Sequence, residues 1–275
     1  MRGLDAHRPD DTIPARFRPA SVIALEIWDL EVRGATLFSS RAEPDFGARL
    51  AEGVEAIRRG EATTRSGITL PDACRRIDAI FAGGGGLAGP IEGRLRALGL
   101  PFHSGGAFAG EAGGLALLDA IGARSGLVVD VGQSAIKISG RSFRRRVPRD
   151  FERLPITRPL GDQGAPRDPF RSFVADAIAA AMRDFGEADG LVLALPAELD
   201  DAGCPDGSSY PGLQGDRDLA AEVLARAGIP GARAVLLNDA ELAALSAQRV
   251  VPADATALVL TIGFGIGGAL LLPRS

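Results

Sequence analysis

Gly126-Leu127-Val128-Val129-Asp130-Val131-Gly132-Gln133-Ser134-Ala135-Ile136-Lys137 is the stretch on which the reading of this chain turns. An apolar strand ends in an acid, a small turn follows at Gly132, and Gln133 to Ser139 returns as a second strand. Alternation along the return places Gln133, Ala135 and Lys137 on one face and Ser134 and Ile136 on the other. The turn offers N–H groups for phosphate oxygens, Asp130 a carboxylate for a hydrated Mg²⁺, and Lys137 a nearby cation. The plain alternative is an ordinary hairpin with an exposed lysine. Against it, an apolar strand rarely ends in an unpaired buried Asp. Lys137 is also the only lysine among 31 basic residues. An arginine there would bring a bulky planar group in place of a compact point charge.

Outward from this hairpin, strands and helices alternate. Ser21 to Trp28 and Val32 to Phe38 read as strands, Phe46 to Arg58 as a helix, and Gly60 to Pro71 as a polar connection. Ile77 to Ala82 is a short buried strand, and Pro90 to Leu98 and Gly110 to Ile121 are helical. Arg141 to Ile156 reads as basic, edge-like strand. In Pro169 to Phe185 the residues Phe170, Phe173, Val174, Ile178, Met182 and Phe185 share one helical face. Leu191 to Leu195 and Ala234 to Leu237 are buried strands, and Ala257 to Leu272 forms two strands around a glycine-rich turn. The pattern predicts an α/β fold with mixed sheets. The expected organisation is a tail over 1–19, one lobe from 20–124 plus 251–275, and a second lobe over 125–250.

Two further glycine-rich turns follow apolar strands. Gly84, Gly86 and Gly89 fit G-x-G-x-x-G, but no acid lies about 20 residues on, so the dinucleotide reading fails its own context. Gly83, Gly84, Gly85 and Gly86 leave a backbone that something flat or anionic can approach closely. The second turn, Gly263-Phe264-Gly265-Ile266-Gly267-Gly268, lies between two apolar strands with no helix following, which makes it a hairpin. The acid is Asp239, in Leu236-Leu237-Asn238-Asp239-Ala240-Glu241. Asn238 and Glu241 have capping-box spacing. Asp239 is the candidate base for a substrate hydroxyl.

Composition excludes several classes. Cys74 and Cys204 cannot make a disulfide framework or a zinc site. A serine hydrolase would depend on His103 without a G-x-S-x-G motif. No apolar run is long enough to span a membrane, and 1–19 lacks the apolar core of a signal peptide, so a cytoplasmic protein is expected. A net charge of −4 argues against nucleic acid as a partner.

Together these residues resemble the actin-like ATPase (sugar kinase, heat-shock protein and actin) superfamily, and within it the ROK sugar kinases. The first phosphate motif D-x-G-G-T-x-x-K resembles Asp130, Gly132, Gln133, Ser134 and Lys137. The sugar-binding stretches are similar to Leu195 to Asp200, with Glu198, and to Ser208 to Leu213, with Ser209, Pro211 and Gly212. The catalytic motif is similar to Asn238 to Leu245, the second phosphate motif to Gly263, Gly265, Gly267 and Gly268, and the adenosine motif to Ile80 to Leu87. Phe264 stands where the family has Thr, Gln133 where it has Gly, and the zinc motif is missing.

The order differs from the family's. The adenosine motif precedes the first phosphate motif, so the chain resembles a circular permutation. Ser21 to Phe38 would then rejoin the sheet of Ala257 to Leu272. The resemblance implies a two-lobed, ribonuclease H-like fold with a cleft, ATP and Mg²⁺ as cofactors without zinc, and a homodimer. Asp130 would hold Mg²⁺ through water. Asn238, Asp239, Glu198, Ser209, Pro211 and Gly212 would meet a small-molecule substrate, a carbohydrate. The implied activity is transfer of a phosphoryl group to a sugar-like hydroxyl, with Asp239 as general base. The alternatives are a non-catalytic nucleotide or sugar sensor of the same fold, or an ATPase coupled to a protein partner.

Overall fold

Short apolar runs bounded by glycine or polar turns become the strands of two main sheets in the computed structural model. It describes residues 15–25, 27, 30–32, 35–36, 45–64, 70–156, 164–263 and 265–274. The expectations for most of the 1–19 tail, for Trp28 and for Phe264 lie outside the described residues.

In chain order the elements begin with β1 (Ala15–Arg16), β2 (Val22–Leu25), β3 (Leu30–Val32), β4 (Ala35–Thr36), α1 (Phe46–Arg59) and β5 (Ala62–Thr64). After a 3₁₀ turn (Asp72–Arg76) come β6 (Ala79–Gly83), α2 (Gly89–Arg96), β7 (Phe102–Gly106) and α3 (Glu111–Ala120). The hairpin strands β8 (Gly126–Val131), β9 (Ala135–Gly140) and β10 (Phe143–Pro148) lead to α4 (Asp168–Phe185) and β11 (Gly190–Leu195). Then follow β12 (Glu198–Leu199), β13 (Pro205–Asp206), α5 (Leu219–Arg226), β14 (Arg233–Asn238), α6 (Asp239–Ala247), β15 (Ala257–Ile262) and β16 (Ile266–Leu271).

Contacts divide the described residues into two units. The first holds Leu115–Val131 and Ala135–Leu237 together with β1; the second holds Arg18–Gly114, Gly132–Ser134 and Asn238–Ser275. These divisions differ from the boundaries expected after residues 124 and 250. Helix α6 belongs with β15 and β16 because Ala240, Ala243, Ala244 and Ala247 form a small-residue face against Val259, Ala269 and Leu271.

The first unit is built on a six-stranded sheet in the order β1-β14-β11-β8-β9-β10. β8, β9 and β10 form an antiparallel meander, and β11 runs parallel to β8. Parallel neighbours need a crossover, which α4 supplies. Its apolar face buries Phe170, Val174, Ile178 and Ala181 against Val129, Ile136 and Ile138. Strand β10 lies at the sheet edge, as its run of arginines suggests.

The second unit carries a five-stranded sheet in the order β2-β16-β15-β6-β7. β15 alternates faces: Leu258, Leu260 and Ile262 join the cluster of α1 and α2, while Ala257 and Val259 join that of α6. The pairs β2·β16 and β16·β15 are antiparallel, and β15·β6 is parallel. This is the same succession as β10·β9, β9·β8 and β8·β11. The third strand of this meander, β2, precedes the first two in the chain. Among the described residues of Ser21 to Phe38, β2 alone lies in this sheet. β3 and β4 form a separate sheet in which β3 pairs with both β4 and β5, and β5 forms inside the stretch expected as a polar connection.

Cys74, 1% exposed, packs under α1. Burial pushes its thiol up to about 11. A group with a raised folded pKa favours the folded chain fully at low pH, and that stabilisation disappears as pH rises through the folded value. The urea midpoint is therefore expected to fall between about pH 9 and pH 11. Cys74→Ala should flatten the early part of that fall. Tyr210, pushed up to about 12 by burial, contributes only at its upper end.

Candidate functional site

At Asn238 strand β14 of the first unit ends and α6 of the second begins. The Asn238 side chain accepts from Ala240 N at 2.8 Å, and Asn238 N donates to Glu241 Oε2 at 2.8 Å. This capping box, read from the sequence, engages the Asn238 carbonyl and amide and buries Glu241. It leaves Asp239 as the first helical residue, where the partial positive charge of a helix N-terminus favours an anion.

The hairpin of β15 and β16 meets this helix end. Thr261 and Gly267 are cross-strand partners. A Cβ on Gly267 would lie 2.4 Å from Thr261 Oγ1 and 3.5 Å from Asp239 Oδ1. The missing side chain is what lets the acid, the hydroxyl and the second glycine turn come together. Gly268 faces the other way, where a Cβ would meet Ile27 at 2.0 Å. Gly263 N donates to Gly265 O at 2.9 Å within the turn. A Cβ on Gly265 would lie 3.1 Å from Gln133 Oε1. The structure therefore brings Gln133 of the first glycine turn against Gly265 of the second.

The Gly83 to Gly86 turn is tied into the same unit. Gly84 N donates to Gly106 O and Gly86 N to Ile262 O, each at 2.7 Å. Gly84 has φ +108°, and a Cβ there would lie 2.5 Å from Ile262 O. Gly83 is held by Ala109, 2.4 Å from its would-be Cβ. Close packing of strand ends thus explains Gly83 and Gly84, and the N–H groups of Gly84 and Gly86 are engaged within the fold. Gly85 alone of the three faces open space. The small-residue helix read after this turn packs on α6: Gly113 N donates to Ser246 Oγ at 2.8 Å.

In the first unit, Asp130 and Lys137 are cross-strand partners at the base of the first hairpin. Lys137 Nζ lies 2.8 Å from Asp130 Oδ2, with both side chains about one-sixth exposed. The acid that ends the buried strand is paired by the chain's only lysine. Gly132 and Ser134 flank Gln133 in the half-buried turn.

The expected sugar loop is used differently. Glu198 is exposed on β12, which pairs with β13. Ser209 and Tyr210 are buried beneath Arg149, whose guanidinium lies 3.7 Å from the Tyr210 ring centroid. Arg149 donates to the carbonyls of Leu154, Pro155 and Ser209 and to Ser209 Oγ. Desolvation lowers the Arg149 pKa. Gly212 has φ +73°, and its would-be Cβ lies 2.2 Å from Pro166 O. Half-buried Pro211 sits between these packed residues. Farther along, Asp216 is bound by Arg171 through two contacts, Nε to Oδ2 at 2.8 Å and Nη2 to Oδ1 at 2.5 Å.

The sequence reading assigns no role to Thr261 or to the Arg171–Asp216 pair, and it includes Arg149 only within a basic, edge-like stretch, whereas the structure buries it. Strand alternation through Ala257 and Val259 would have placed Thr261 on the α6 face. Nothing local signals the partners of Arg149 or Asp216. Among the described residues there is no group of three or more His, Cys, Asp or Glu that could hold a metal ion. No described helix is long and apolar enough to cross a membrane.

No family model and no curated protein matches the chain. Among solved structures, it is similar to AbyA1, a tetronic acid condensing enzyme, with 16% identity and a TM-score of 0.25. That match covers 81% of this chain and 86% of the other, at a likeness too low to bear on fold or activity.

Proposed function

We propose that the chain is an ATP-dependent phosphotransferase of the actin-like ATPase fold, circularly permuted, acting on a hydroxyl of a sugar or sugar-like molecule. The observation that carries this reading is the meeting of Asp239, Thr261 and Gly267 at the start of α6, with Gln133 against Gly265. The shared strand succession of the two units, with β2 displaced to the front of the chain, supports the fold and the permutation.

The residues fit a polyphosphate: a glycine where a side chain would block approach, and a second glycine turn alongside. Gly132, Gln133, Ser134, Gly263, Gly265, Gly267 and Gly268 would hold the phosphates, Gly83 to Gly86 the adenosine, and Asp130 a hydrated Mg²⁺. Bound Mg·ATP supplies the phosphoryl group and neutralises its charge. Asp239 takes the proton of the acceptor hydroxyl, and Lys137 holds the Asp130 carboxylate in place.

A second reading, a sensor or a partner-coupled ATPase, is favoured by one observation. Ser209, Tyr210 and Gly212 are engaged with Arg149 and Pro166 rather than open to a sugar. Calorimetric titration with Mg·ATP followed by a transfer screen across sugars tests both. Saturable binding and transfer to at least one sugar are expected. Binding without transfer selects the second reading, and no binding of Mg·ATP overturns both.

A further inference from the structure

We infer that Thr261 is a positioning residue for Asp239, its hydroxyl donating to the Asp239 carboxylate and holding it in one orientation. Strand alternation puts Thr261 on the face of β15 that packs against α6. Its Oγ1 is buried and has no hydrogen-bond partner among the described residues. A buried hydroxyl is seldom left without one. Around the point that a Gly267 side chain would occupy, three atoms gather. Thr261 Oγ1 lies at 2.4 Å, Asp239 Oδ1 at 3.5 Å and the Ala240 Cβ at 3.8 Å.

Among these nearest atoms, the Asp239 carboxylate is the acceptor. Gly267 puts no side chain between the two oxygens. An ionised carboxylate accepts only, and a threonine hydroxyl has one proton to give. The contact requires the Thr261 hydroxyl and the carboxylate to turn toward each other. One carboxylate oxygen is then fixed toward Thr261, which sets the orientation in which the group meets the acceptor hydroxyl. The role rests on the reading of Asp239 as the general base.

Thr261→Val keeps the shape and removes the hydroxyl, while Thr261→Ser keeps the hydroxyl. The first measurement is a urea double-mutant cycle of Thr261→Val with Asp239→Ala, which needs no activity. The midpoint shift caused by Thr261→Val is expected to differ between the Asp239 and Asp239→Ala backgrounds. The second is turnover and binding of Mg·ATP. Thr261→Val is expected to lower kcat about tenfold while Kd changes less than about twofold, and Thr261→Ser to restore most of the rate. Additive midpoints, wild-type turnover in Thr261→Val, or equal impairment by Val and Ser would each overturn the inference. If the wild-type chain turns over no Mg·ATP, the phosphotransfer reading falls, and the urea cycle still decides the Thr261–Asp239 contact.

Discussion

Asp239→Asn is expected to lower phosphoryl transfer by roughly 10²–10⁴-fold, the range that a positioned general base contributes. Affinity for Mg·ATP should hardly change. The substitution is nearly isosteric, and it leaves the Asn238–Glu241 capping box intact, so α6 keeps its start. An amide cannot take the proton that a carboxylate takes. Removing the charge also removes a favourable interaction with the helix N-terminus, about 0.3–1 kcal/mol. Single-turnover transfer and calorimetry on the same preparation separate the effects. Full transfer activity in Asp239→Asn would sink the assignment of Asp239. A parallel loss of nucleotide binding would show that its part is in holding ligand rather than in proton transfer.

Arg171→Ala is expected to destabilise the chain by about 3–5 kcal/mol, the cost of stranding one member of a buried ion pair. The Asp216 side chain is 0% exposed, and Arg171 grips both of its oxygens. Without Arg171, the one cation left near among the described residues is Arg167 Nη1, at 3.6 Å and from a side chain open to solvent. The pair ties α4 to the end of the long loop after β11, so its loss loosens the loop that also carries Tyr210 and Gly212. Asp216 holds the Arg171 proton more firmly than a free guanidinium holds its own. The loss should therefore be the same across neutral and mildly alkaline pH. Chemical unfolding measures it. A shift below about 1 kcal/mol would place the pair with ordinary surface ion pairs. Replacing both partners with apolar residues of similar volume should recover much of the loss.

What was legible in the sequence was what neighbours in the chain decide. Residues 126–137 announced the hairpin of β8 and β9 because alternation and a small turn are local. The N-cap at Asn238 was readable for the same reason, since its partner lies three residues on. The face of α4 followed from helical spacing alone. The misread parts depend on residues far away in the chain. Ser209 and Tyr210 look like a polar loop, and only Arg149 folding over them makes them interior. Gly84 and Gly212 draw attention as loop glycines, and their bareness answers also to the carbonyls of Ile262 and Pro166, which no local pattern reveals. β5 was missed because three residues of modest pattern become a strand only beside β3.

The displaced strand has a consequence for how the chain acquires its structure during synthesis. β2 is made early, but its partner β16 is made last, with Val22 opposite Leu271. At about 5–20 residues per second, β2 waits roughly 12–50 s before it can be covered. The strands of the first sheet from β8 to β14 leave the ribosome as one nearly unbroken stretch in that interval. The second unit is therefore completed after the first, and the edge of β2 that pairs with β16 stays uncovered meanwhile.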